Sequence, residues 1–173
     1  MFGREHFPKA GGFILASNHV SFVDPVVLGA VCPQKLHFLA RHSLFKKPFF
    51  GWFLLQVGAF PVKRDSGDVG ALKEAIRRIR AGGVLALFPE GTRTSGAVLS
   101  LKAGVAFLAE KAGVPVVPAY IKGSDRVLPK GARCIRLHKV QVRIGRPLHI
   151  KKGMPYQEFT HHVLESIKAL GEL

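Results

Sequence analysis

The chain has 173 residues, 47% of them hydrophobic, with 26 lysines and arginines against 11 aspartates and glutamates, a formal net charge of +15. That length supports one domain with its own core, and the apolar content excludes a disordered chain. The charge calls for an anionic partner: nucleic acid, an acidic membrane surface or a phosphorylated substrate.

The two cysteines, Cys32 and Cys134, have no CxxC spacing and read as reduced thiols of an intracellular protein. The most apolar stretch, residues 48–62, is interrupted by Gln56 and two glycines, short of the roughly 18 apolar residues a spanning helix needs. The charged start "MFGREHF" lacks the apolar core of a secretory signal, so the chain is expected to begin at or just before its first structural element.

Short apolar runs alternate with helical patterns. Residues 12–17 read as a buried strand. Asp24 and Pro25 read as a helix start, with Asp24 as the cap and Pro25 at the first helical position. Residues 36–40 are a second strand candidate. Residues 49–55 are apolar all round and suit a helix, and residues 58–62 a short strand. Asp68 is expected to cap an amphipathic helix with Val69, Leu72, Ile76 and Ile79 on its buried stripe and Lys73, Arg77, Arg78 and Arg80 facing away. Gly82 and Gly83 end it. Residues 84–88 read as a strand, 102–111 as a helix stopped at Gly113, and 114–121 as another buried strand. In residues 139–144, Val140, Val142 and Ile144 alternate with Lys139, Gln141 and Arg143, the period of a half-buried strand. Pro155 opens a last helix carrying Phe159, Val163, Ile167 and Leu170. The expected class is α/β, a single domain over 1–173 with a largely parallel or mixed central sheet flanked by helices.

Three polar groups each follow an apolar strand: Asn18-His19, then Lys63-Arg64-Asp65, then Glu90-Gly91-Thr92-Arg93. Ligands of open α/β sheets bind beyond the carboxyl ends of the strands, so the three turns line one cleft if those strands run parallel. A spacing of five between His19 and Asp24 turns a helix by about 500°, so the two do not share a helical face. They fit better as a loop histidine and a helix-starting aspartate that reaches back to the ring. An aspartate on one ring nitrogen fixes the tautomer and leaves the other nitrogen free to take a proton. The plain alternative is an aspartate that only caps its helix beside a polar turn histidine, and a lone HxxxxD does not separate the two.

Ser17 and Ser21 flank the histidine, but neither sits in a G-x-S-x-G elbow, which argues against a serine hydrolase. His19 and Asp24 lack an evident third ligand, so no metal site is expected, and His161-His162 reads as a solvated pair. Arg64 and Arg93 are anion-binding candidates because a guanidinium matches phosphate oxygens bidentately. Gly91 permits close backbone approach, Thr92 can donate a hydrogen bond, and Glu90 can position Arg93 or accept from a hydroxyl.

Together these blocks resemble the glycerophospholipid acyltransferase family typified by 1-acylglycerol-3-phosphate acyltransferase. "NHVSFVD" is similar to the family's NHxxxxD motif and "GAFPVKRD" to its second block, whose arginine contacts the substrate phosphate. "FPEGTRT" is similar to the third block, and "VPVVPAYI" to the fourth, a proline-bracketed apolar strand. The motif-bearing part runs over about 3–146, with a C-terminal helix at about 155–171. The resemblance implies the glycerol-3-phosphate acyltransferase-like fold and an O-acyltransferase of phospholipid biosynthesis. His19 is then the general base, oriented by Asp24. It takes the proton from the free hydroxyl of lysophosphatidate, which attacks the thioester of acyl-carrier protein or coenzyme A. That thioester is a co-substrate, and no cofactor is implied. Arg64, Glu90, Gly91, Thr92 and Arg93 hold the phosphoglycerol head. Family members often carry apolar helices before the first block, where this chain has almost nothing, and Lys63 replaces a residue that is often acidic or neutral.

Glycerol 3-phosphate, another lysophospholipid or a lyso-aminolipid is an alternative acceptor, because the same base and arginines suit any hydroxyl near an anionic head. A nucleic-acid-binding module is disfavoured by basic residues spread along the whole chain and by the lack of a recognition motif. The intact His19 and Asp24 argue against an inactive membrane-binding relative. Lys46 and Lys47 precede the aromatic-rich segment carrying Trp52 and Phe53, which suits either contact with an anionic leaflet or a core helix. The expected location is the cytoplasmic face of a membrane, peripheral or monotopic.

Overall fold

The computed structural model describes residues 1–62, 69–89, 101–129 and 134–173. Six strands form one sheet: β1 (Phe13–Ser17), β2 (Leu36–Arg41), β3 (Ala59–Val62), β4 (Val84–Leu87), β5 (Val116–Lys122) and β6 (Gln141–Ile144). The order across the sheet is β3-β2-β4-β1-β5-β6. β1 to β5 are mutually parallel, with Leu15 opposite Ala86 on β4 and Val117 on β5, and β6 closes one edge antiparallel to β5. The mixed sheet expected from the alternating pattern is present.

β1 and β4 are buried along their whole length, as strands covered on both faces must be, which is why they read as unbroken apolar runs. On one face lie α3 (Val69–Arg80), α4 (Leu101–Ala112) and α6 (Tyr156–Glu172), whose Ala75, Ile79, Val105, Leu108, Phe159, Val163 and Ile167 pack onto Ile14, Leu85 and Val116. On the other lie α1 (Asp24–Val31) and α2 (Pro48–Gln56), which bring Leu28 and Leu54 against Phe13, Leu15, Phe38 and Ala86. A single turn, α5 (Ser124–Val127), follows β5.

The structure departs from the sequence reading in three places. Val69 is 61% exposed, and the fully buried stripe of α3 is Ala71, Ala75 and Ile79, with Leu72 and Ile76 packed at its margin. Small residues let the helix sit close to the sheet, so the interface rotates toward them. Arg78 does not simply face away: its guanidinium lies 4.6 Å from the centre of the Phe60 ring, donates to Glu74 at 2.7 Å and reaches His37 Nδ1 at 3.1 Å. The long aliphatic stem makes this possible, since an arginine covers apolar surface while its head finds polar partners. Finally, Asp24 is the first residue of α1, not its cap, and makes no capping hydrogen bond to it. The expected cap of α3, Asp68, lies outside the described residues.

His37 is 7% exposed at the start of β2. An arginine only donates, so Nδ1 must accept from Arg78 and the ring is neutral. Gly83 permits this arrangement: a Cβ there would sit 2.9 Å from the His37 ring. Burial lowers the His37 pKa below the ordinary 6.5, and the charge of Arg78 and, less, that of Lys35 lower it further, against opposing effects from the Gly58 backbone and Glu74. The unfolded chain therefore binds the proton first. Stability from this group is complete above about pH 7 and is lost as pH falls through the unfolded and then the folded value. We expect wild-type stability, measured by urea denaturation, to fall relative to His37→Gln between about pH 7.5 and about pH 5. Parallel pH curves for the two proteins would show that His37 is not the titrating group.

Candidate active site

The chain leaves the centre of the sheet at two neighbouring strand ends. After β1 it crosses over β4 to reach β2, and after β4 it crosses over β1 to reach β5. Connections that depart in opposite directions open a crevice between them, the usual ligand position in such sheets. His19 lies two residues past β1, and Phe88 directly follows β4. Their rings stack with centroids 4.2 Å apart and planes 24° apart.

The loop is anchored before the histidine. Asn18 is 4% exposed, and its side chain both donates to the Ile121 carbonyl at 2.9 Å and accepts from the Ile121 N–H at 2.7 Å. It extends the β1–β5 ladder by a side chain at the point where the β1 backbone turns away. The next residue is thereby fixed at the crevice.

His19 Nδ1 lies 2.8 Å from Asp24 Oδ2. The same oxygen accepts from the backbone N–H groups of Val20 and Ser21, each at 2.8 Å. The carboxylate therefore folds back and organises the loop before its own helix, which is why it does not cap α1. The Asp24 side chain is fully buried, while that of His19 is 41% exposed. Burial alone would favour the protonated carboxyl. Hydrogen bonds from His19 and from the backbone of Ser21 and Val20, with the nearby Ser124 hydroxyl, outweigh it, so Asp24 titrates below its ordinary value.

With Nδ1 donating to the carboxylate, Nε2 is the nitrogen left to accept a proton. No hydrogen bond to Nε2 is found among the described residues, and the exposed ring lets a substrate group reach it. A buried carboxylate behind a half-exposed imidazole is the geometry of an oriented general base.

The other expected site residues divide into two sets. Arg64, Glu90, Gly91, Thr92 and Arg93 lie outside the described residues. The strands that precede them, β3 and β4, do end at the same edge of the sheet as β1. Of the second set, Lys46 closes a short 3-10 turn and Lys47 precedes α2. Trp52 is 65% exposed and Phe53 40% exposed, so α2 is not the core helix that its composition also allowed. Its Leu54 packs inward, together with Phe45 and Val57 beside the helix. Sequence reasoning missed the stacking role of Phe88 and the bridging role of Asn18. The signal for each was adjacency, since Asn18 immediately precedes the histidine and Phe88 opens the "FPEGTR" block. Among the described residues no three histidines, cysteines or acids cluster as a metal site.

A sequence profile described as Acyltransferase matches residues 1–122. The 1-acyl-sn-glycerol-3-phosphate acyltransferase of Bacillus subtilis is 33% identical over 150 residues, covering 86% of this chain and 73% of that protein. A chloroplastic 1-acyl-sn-glycerol-3-phosphate acyltransferase of Brassica napus is 33% identical, covering 87% of this chain but 45% of its own length. A lyso-ornithine lipid O-acyltransferase of Pseudomonas aeruginosa is 32% identical, covering 88% of this chain and 65% of that protein. Among solved structures, the 1-acyl-sn-glycerophosphate acyltransferase PlsC of Thermotoga maritima superposes with a TM-score of 0.76 at 33% identity, over 99% of this chain and 70% of that one.

The hydrogen bonds set distinct stability costs for the two central residues. Asp24→Ala removes the buried acceptor that the Val20 and Ser21 N–H groups share and should cost about 2–4 kcal/mol. His19→Ala removes a half-exposed ring and should cost less than about 1 kcal/mol. The contribution of Asp24 is present above its ordinary value of 3.8 and is lost as pH falls through its lowered folded value. Chemical denaturation near neutral pH measures both variants, and equal losses would contradict the assignment of the loop's organisation to Asp24.

Proposed function

The chain belongs to the acyltransferase family, and from that premise we propose that it acylates the free hydroxyl of 1-acylglycerol 3-phosphate, using a thioester of acyl-carrier protein or coenzyme A as donor. The 2.8 Å contact between His19 Nδ1 and Asp24 Oδ2 carries this reading, because it leaves one nitrogen of an accessible ring free to act as base. His19 Nε2 takes the hydroxyl proton as the oxygen attacks the thioester carbonyl. The tetrahedral intermediate collapses by breaking the carbon–sulfur bond, and the proton on His19 passes to the leaving thiolate. No acyl-enzyme is required.

The phosphate would be held by Arg64 and Arg93, which follow β3 and β4 in the sequence, with Glu90, Gly91 and Thr92 alongside. Two guanidiniums on one head group orient its hydroxyl toward the base. The similarity to a lyso-ornithine lipid O-acyltransferase supports a second reading, in which a lyso-aminolipid is the acceptor.

A panel of acyl-carrier-protein and coenzyme-A thioesters against lysophosphatidate, glycerol 3-phosphate, other lysophospholipids and a lyso-aminolipid, with products identified by mass spectrometry, separates these readings. His19→Ala should lose roughly 10²- to 10⁴-fold in rate. Arg64→Ala or Arg93→Ala should lose roughly ten- to a hundredfold in kcat/KM with lysophosphatidate, and lysine should recover only part of it. An equal loss with a matched acceptor lacking the phosphate would remove the phosphate assignment.

The lipid acceptor implies work at a membrane surface. None of the described helices is long and apolar enough to cross a membrane. On α2, Phe49 is 91% exposed and Leu55 58% exposed beside Trp52 and Phe53, with Lys46 and Lys47 at the edge of this patch. Exposed aromatic side chains with flanking lysines suit an anionic leaflet. Binding to vesicles containing anionic lipid should weaken with salt, and Trp52→Ser with Phe53→Ser should reduce the binding that survives high salt. Equal binding to neutral and anionic vesicles would remove the electrostatic part of the proposal.

A further inference from the structure

Asp24 uses only one of its two oxygens on the loop. Oδ2 takes three hydrogen bonds, while Oδ1 is buried and has no well-aligned partner. A second buried oxygen in the same condition is Ser124 Oγ, on a residue that is 0% exposed. The two belong together: the Ser124 hydroxyl lies close enough to the Asp24 carboxyl to favour its ionised form. A hydroxyl hydrogen rotates freely to meet an acceptor, and an ionised carboxylate has acceptor capacity left on Oδ1.

The backbone around Ser124 is built for the approach. Gly123 ends β5 with φ 90°, where a Cβ would meet the Lys139 carbonyl oxygen at 2.5 Å. The left-handed turn swings Ser124 inward as the first residue of α5. Ser21 Oγ donates to the Leu128 carbonyl at 3.3 Å, and Asn18 grips Ile121 on β5. The loop carrying His19 is thus tied to the β5–α5 segment both before and after Ser124.

We propose that Ser124 is a positioning residue for the reaction, its hydroxyl donating to Asp24 Oδ1 so that Oδ2 stays aimed at His19 Nδ1 in a Ser124–Asp24–His19 relay. The inference rests on the reading of His19 as general base. The hydroxyl never touches substrate. It restrains rotation of the carboxylate and satisfies an oxygen that water does not reach. Without it Asp24 can turn, and the imidazole loses its fixed tautomer for part of the time.

Ser124→Ala tests this. Its kcat should fall about tenfold, the loss expected for one charge-assisted hydrogen bond, with KM for both substrates nearly unchanged. The proton resonance of His19 Nδ1–H, held downfield by Asp24, should broaden or move upfield. Among the described residues His19 is the titratable group in contact with Asp24, so the acid limb of the kcat/KM profile should shift as well. In a His19→Ala background the same substitution should cost no further activity, because both act on one proton transfer. Ser124→Thr, which keeps the hydroxyl, should retain more activity than Ser124→Ala. If Ser124→Ala does not fold, Ser124→Cys, near-isosteric with a weaker donor, takes its place in the same measurements. A folded variant with a lower melting temperature but wild-type kcat and an unmoved His19 resonance would overturn the proposal. So would a loss that adds to that of His19→Ala. If His19→Ala itself turned over at the wild-type rate, the general-base reading would fall first, which separates the two failures.

Discussion

The site depends on keeping one buried carboxylate charged. Asp24 has no exposed surface, and an isolated buried charge costs several kcal/mol even after the protein relaxes. What offsets this is local: two backbone N–H groups three and four residues back, and an imidazole N–H five residues back. The five-residue spacing of His19 and Asp24 is therefore a loop constraint. A shorter loop could not bring both N–H groups and the ring to one oxygen, and a helical segment would have spent those N–H groups on its own carbonyls. The same interaction that orients the base also folds the loop, so chemistry and local stability share a residue.

The parallel sheet supplies the rigidity behind that loop. β1 and β4 are neighbours, fully covered on both faces, and their connections depart in opposite directions. His19 and Phe88 meet because their strands end side by side. A stacked aromatic ring fixes the plane of the imidazole while Asp24 fixes its rotation within that plane, so the two contacts constrain different motions. Asn18 adds a third restraint by substituting for a backbone rung on β5. These groups come from three adjacent strands, which is why a short loop can hold a precise geometry.

Much of this was legible in the sequence. Strands buried on both faces appear as apolar runs, and the amphipathic period and glycine stops of α3 locate it well. The pairing of His19 with Asp24 followed from the motif and from the way an aspartate opening a helix can reach back. Other features depend on contacts between distant segments. Arg78 reads as a solvent-facing cation until Phe60 and His37, which belong to other strands, are placed beneath it. The segment around Trp52 is apolar on every side, so periodicity could not say which face is buried. Only the position of Leu54 against the sheet decides it. Ser124 is invisible in a pattern reading because a serine after a buried strand is ordinary, and its meaning comes from an unpaired oxygen on the segment that follows the neighbouring strand β1.

The surroundings of the base match a substrate of two natures. Val20 is 53% exposed, Phe22 82% and Val26 47%, all within seven residues of His19, on the loop that Asp24 organises and the helix that follows it. Exposed apolar side chains so close together are costly in water unless they meet something apolar. The arginines of the "VKRD" and "EGTRT" blocks follow strands that end at the same edge of the sheet, and the chain as a whole is strongly cationic. A lysophospholipid carries an acyl chain and an anionic head with its free hydroxyl between them. A base beside an apolar rim presents its free nitrogen where the acyl chain of such a molecule can be held. Neither a nucleic acid nor a small soluble phosphate makes use of the apolar rim. The juxtaposition of the rim with the base, more than the net charge, therefore argues for a lipid acceptor.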